Sequence, residues 1–198
     1  MRYRAVVIAL VAALPPVLLV TPLLSRTLRR FSDPCVQWGV SSSEPVTVAV
    51  SPGGPCRSVE TTSETRGQAV VRIILVHGGI LIASALGLLG ALFARPLIAV
   101  IAAGLMLLES IPLMFSFGWM AALVSGLFLV AARDSGPVER AAELGMRVIG
   151  SLGGIGALLF LPTIVSRALF LIFSCIALAF VAVAGWWPEI RKRVIRRS

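Results

Sequence analysis

Residues 96–132, PLIAVIAAGLMLLESIPLMFSFGWMAALVSGLFLVAA, hold a single charge, the carboxylate of Glu109. As one helix rising about 1.5 Å per residue the stretch would reach about 55 Å, almost twice the roughly 30 Å of a bilayer's hydrocarbon core. It must therefore fold back on itself. The sequence places the turn after Pro112, where Gly118 permits a reversal and Phe115, Phe117 and Trp119 suit the membrane–water interface. An acidic side chain at mid-helix costs about 2.5 to 3.5 kcal/mol on insertion scales, which makes Glu109 the first candidate functional residue.

The rest of the chain is made of the same material. Hydrophobic residues form 58% of it and charged residues 14%, against about 45–50% and about 25% in water-soluble domains. A soluble fold of this size could not bury that much apolar surface, so the chain reads as a single membrane domain over residues 1–198. All but one of its 18 basic residues are Arg, the exception being Lys192. That skew fits the codon usage of a GC-rich bacterial genome, and no basic patch with interleaved aromatics points to nucleic acid.

Counting apolar runs predicts an all-α integral membrane protein with six transmembrane helices at about 5–24, 70–94, 97–114, 117–132, 148–164 and 168–187. A four-span arrangement with long tilted helices is the alternative. The first run, 5–24, reads as a retained anchor bent at Pro15-Pro16, because no Ala-x-Ala cleavage signal follows it. The run 148–187 is too long for one crossing and breaks at Pro162–Arg167. The last four helices then form two hairpins that enter from the same side. With both termini cytoplasmic, eleven basic residues fall inside and seven outside, which sets a multi-pass topology in the plasma (inner) membrane. The tail, 188–198, follows paired Trp186-Trp187 and carries five cations, suited to an anionic lipid surface.

Residues 25–69 form the one sizeable polar segment, an extracytoplasmic loop between helices 1 and 2 rich in Ser, Thr, Pro and Gly. A Cys35–Cys56 disulfide would close a ring of about 20 residues and stabilise it by about 3 kcal/mol. Alternating Val46, Val48 and Val50 predict a short strand, paired with 36–40 in a small hairpin. Two Cys without a local His make no zinc site, so no metal is expected.

Small residues mark the faces where helices approach one another: Gly79, Ala83, Gly87 and Ala91 in the second span, Gly118, Ala122 and Gly126 in the fourth, Gly150 and Gly154 in the fifth. The cytoplasmic link 133–147 carries a helix start, with Ser135 as cap and Pro137 in the first turn.

His77, the only histidine, and Glu109 both fall about 10 Å below the outer surface by residue count. They form a candidate buried polar site with Arg72 and Arg167 as further partners. One carboxylate and one imidazole are too few for metal-dependent or nucleophilic catalysis in the membrane, and one His cannot supply bis-His haem ligation. No cofactor and no catalytic residue is therefore predicted. The expected function is that of a non-catalytic accessory or assembly subunit of a membrane complex, whose partners are lipid and other membrane subunits. The alternative is a small transporter or a proton- or quinone-handling protein built on the Glu109/His77 pair.

Overall fold

The computed structural model describes residues 2–39, 50–51, 54–56, 59–111, 113, 117–160 and 168–196. Among them the elements are α1 (Arg2–Ser32), β1 (Val36–Trp38), β2 (Val50–Ser51), β3 (Gly54–Pro55), β4 (Glu60–Thr62), α2 (Arg66–Ile73), α3 (Gly79–Leu92), α4 (Pro96–Ser110), α5 (Gly118–Asp134), α6 (Arg140–Phe160) and α7 (Ala168–Ile195). A π-helical turn, Ile74–Gly78, joins α2 to α3. The fold is all-α. Among the described residues four helices, Tyr3–Ser32, Arg66–Leu92, Arg140–Leu159 and Leu171–Ile195, are long and apolar enough to cross a membrane, and Pro96–Ser110 is a shorter apolar helix. The chain forms two compact units, one of Met1–Val17 with Gly79–Ser198, the other of Leu18–Gly78.

In the first unit, α4, α5, α7 and α6 close a ring in that order, and α3 packs against α4. The long run 96–132 is two helices, ending at Ser110 and restarting at Gly118. They run antiparallel. Gly118 lies against the Ser110 carbonyl, and the fully buried Ser125 hydroxyl donates to the Ala103 carbonyl at 2.7 Å. Helices α6 and α7 form the second antiparallel hairpin. Gly150 faces Gly185, where a Cβ would lie 2.8 Å from the opposing Cα, and Gly153 faces Val181.

The two hairpins lie side by side in parallel register. Helix α4 meets α6 at Val100–Gly145 and Gly104–Ile149, while α5 meets α7 at Trp119–Phe173, ring centroids 5.6 Å apart, and at Gly126–Phe180. The enclosed core holds Met106, Phe128, Leu129, Met146 and Val181, all fully buried. Interdigitated side chains at this density leave dispersion contacts that single truncations disrupt.

Helix ends differ from the apolar boundaries. Helix α1 continues through Pro15-Pro16 to Ser32, and in its last turns Thr27 Oγ1 donates to the Leu23 carbonyl at 2.8 Å and Ser25 Oγ to the Pro22 carbonyl at 2.9 Å. Helix α7 continues through Pro188 to Ile195. Proline removes one helical hydrogen bond there, but the next turns are held to α6 by Glu189–Arg147 at 3.0 Å and Lys192–Glu143 at 3.3 Å. Ser135 closes α5 instead of capping α6, its hydroxyl donating to the Ala131 carbonyl at 2.7 Å. The α3–α4 link turns on Ala94 at φ 53°, with the Arg95 amide donating to the Gly90 carbonyl at 2.8 Å. This is the left-handed helix ending that usually selects glycine.

In the second unit Cys35 and Cys56 are joined by a disulfide. Among the described residues β1 pairs in parallel with β4, Val36 opposite Glu60 and Trp38 opposite Thr62, and β2 pairs with β3; the hairpin expected between 36–40 and 46–50 falls largely outside the described residues. The disulfide ties the segment after Cys56 beside Cys35, whose carbonyl accepts from the Glu60 amide at 3.1 Å. Val46 and Val48, Phe115, and the break expected at 162–167 lie outside the described residues.

Candidate functional site

Glu109 is the penultimate residue of α4. That helix turns Leu97, Ile101, Leu108 and Ile111 outward and buries Ala99, Ala102, Ala103, Met106 and Ser110. Glu109 is half-buried, at the edge between the two faces. Its carboxylate rests on the backbone of Gly79 in α3, where a Cβ would collide with Oε1 and the carboxyl carbon. The niche exists because position 79 has no side chain. Among the described residues the carboxylate has no hydrogen-bond or ion-pair partner.

Of the other residues singled out for this site, Arg72 makes an ion pair with Glu64 at 2.9 Å in the second unit, and Arg167 lies outside the described residues. His77 also belongs to the second unit and occupies the π-helical turn. Such wide turns are concentrated at functional sites because they reposition a side chain at the expense of regular backbone bonding. Its Nδ1 is buried with no hydrogen-bond partner of ordinary geometry among the described residues; the polar group it approaches is the Ile73 carbonyl of the preceding turn.

The predicted packing residues are distributed as follows. Ala83, Gly87 and Ala91 of α3 are buried, Gly87 beneath the Phe128 ring. Gly118, Ala122 and Gly126 are buried in α5, and in α6 Gly150 and Gly154 face Gly185 and Ala182 of α7. The sequence reading missed Gly90, which lets the Ala99 backbone approach, and Gly185, the counterpart of Gly150. It also missed one face of α1: Ala5, Ala9, Ala12, Ala13 and Pro16 are buried while Leu10, Val11, Leu14 and Leu18 face outward. The four-residue spacing of small side chains was the available signal.

The second unit contains a cavity of about 200 Å³ lined by Thr27, Arg30, Val36, Trp38, Glu60, Thr62, Glu64 and Arg72. Arg30 pairs with Glu60 as Arg72 does with Glu64. The Trp38 ring stacks on Phe31, centroids 4.8 Å apart and planes 12° apart, and its Nε1 is buried with no acceptor among the described residues.

At the end of the helical ring where α6 begins and α7 ends, Arg147 bridges Glu143 and Glu189, each at 3.0 Å, and the Arg133 guanidinium lies 5.8 Å from the Trp187 ring centre. Among the described residues no group of three or more His, Cys, Asp or Glu is placed to hold a metal ion. Cys175 is a half-buried free thiol in α7, 4.0 Å from the Ala157 carbonyl.

The class that this fold defines is an all-α membrane protein. No protein-family model, curated protein or solved structure matches the chain.

Proposed function

We propose that the chain is a non-catalytic subunit of a bacterial plasma-membrane assembly, crossing six times with both termini cytoplasmic. Support for the crossings comes from α4 and α5, short helices of about 22 and about 25 Å that approach the core thickness and run antiparallel. The orientation rests on the excess of Arg around the α3–α4 link, the α5–α6 link and the end of α7, the arrangement favoured on the cytoplasmic side.

One observation carries the subunit reading: Glu109 sits at the edge of the outward stripe of α4 with no partner among the described residues. A carboxylate facing lipid is strongly disfavoured, and a donor on a helix of another subunit removes that penalty.

Native mass measurement after gentle detergent extraction tests this. The reading predicts a discrete complex heavier than the 20.9 kDa chain. A monodisperse, stable monomer counts against it.

A proton-handling role has one observation in its favour, the placement of His77 in the π-helical turn with its Nδ1 buried toward the Ile73 carbonyl. Substituting His77→Asn and following proton flux in vesicles tests it; unchanged flux dismisses the role.

A further inference from the structure

The second unit holds a built polar cavity that the subunit reading leaves unused. Its floor is one face of the β1–β4 pair. In a strand alternate residues share a face, and Val36, Trp38, Glu60 and Thr62 all line the space. One wall is the end of α1, with Thr27 and Arg30, and the other is Glu64 with Arg72 of α2. Two features fix the walls. The Cys35–Cys56 disulfide clamps the strands, and α2 starts at a reciprocal cap in which Thr65 Oγ1 accepts from the Gln68 amide at 3.3 Å and Gln68 Oε1 accepts from the Thr65 amide at 2.9 Å.

The lining specifies a ligand class. Among the described residues two guanidiniums and two carboxylates balance, so a simple anion or a simple cation meets as much repulsion as attraction. A zwitterion meets both signs favourably. Arg72 engages Glu64 through Nη2 and its side chain is 61% exposed; a guanidinium carries five N–H donors, leaving others to reach a phosphate oxygen. Trp38 contributes its indole ring to the lining. The glutamates in turn accept from a primary ammonium.

Size and place narrow the class further. About 200 Å³ is small for a binding pocket, enough for a headgroup. Thr27 and Arg30 follow directly on the apolar part of α1, where a membrane helix reaches the headgroup layer, and indole rings favour that same layer.

We propose that this cavity binds phosphoethanolamine, presented as the headgroup of a bilayer lipid. The phosphate lies toward Arg30 and Arg72, and the ammonium toward Glu60 and Glu64. The proposal stands apart from the subunit reading and survives its failure.

The test uses the full chain, delipidated in detergent and titrated with phosphatidylethanolamine, phosphatidylcholine or phosphatidylglycerol, with bound lipid read by native mass measurement. Phosphatidylethanolamine should bind about tenfold more tightly than either of the others, because choline has no N–H to donate and the glycerol headgroup has no cation. Glu64→Gln should remove about tenfold of that binding; an intact disulfide on a non-reducing gel certifies folding. A second arm with soluble glycerophosphoethanolamine separates a lipid-borne headgroup from a free phosphate ester: weak displacement marks the lipid as source, and full displacement at equal concentration overturns that assignment. Equal binding of the three lipids, or undiminished selectivity in Glu64→Gln, overturns the proposal itself.

Discussion

The Glu109 carboxylate on α4 lies on the backbone of Gly79 on α3, in space that a single methyl group at position 79 would fill. The contact joins the one charge of the long apolar run to the first small residue of the α3 stripe. A Gly79→Ala substitution must push aside the flexible end of Glu109, a cost that offsets the roughly 1 kcal/mol that alanine gains over glycine inside a helix, so the net change should stay within about 1 kcal/mol. In a Glu109→Ala background the same change should stabilise by about 1 kcal/mol. Thermal unfolding of the two single variants and the double variant in one detergent measures the coupling; additive effects would show that the niche is incidental.

Replacing Cys35 and Cys56 together by Ser should loosen the second unit by about 3 kcal/mol, the constraint expected of a ring of this length. The β1–β4 ladder should lose protection first, since the disulfide brings those strands together. Hydrogen exchange at Val36–Trp38 and Glu60–Thr62 should rise while α4–α7 stays protected. Unchanged exchange at β4 would mean that the ladder holds itself.

Ala94 adopts φ 53°, in the left-handed region that an alanine Cβ disfavours by about 1 kcal/mol. Ala94→Gly should raise stability by up to that amount, less the entropy glycine adds to the unfolded chain. A fall in the unfolding midpoint would mean that the Ala94 methyl makes compensating contacts.

Which parts of this structure were legible in the sequence follows from what each depends on. The interruption between Ser110 and Gly118 is local chemistry: Pro112 and Gly118 cannot continue a helix easily, and the run is too long for one crossing. The disulfide was legible because Cys35 and Cys56 are the two cysteines of the polar segment. Helix ends were not. Hydropathy marks where apolarity stops, whereas α1 runs on to Ser32, α7 to Ile195 and α6 back to Arg140, the last two held together by the Arg147–Glu189 and Lys192–Glu143 pairs.

The cavity of the second unit left no local trace either. It depends on Trp38 lying opposite Thr62, a parallel pairing of distant residues that alternation within 36–50 could not disclose. For Glu109, the sequence pointed to the residue and to its rarity. That Gly79 is its neighbour depends on the register of α3 against α4, which small-residue spacing constrains only in part.

The most direct test of the central claim is the composition of the complex purified with tagged wild-type chain and with a Glu109→Gln variant. A neutral amide keeps the shape but loses the charge-assisted hydrogen bond to a partner subunit, so the account predicts that Glu109→Gln accumulates normally and loses about tenfold or more of its bound partner. A variant that retains its partner at wild-type stoichiometry would contradict the account.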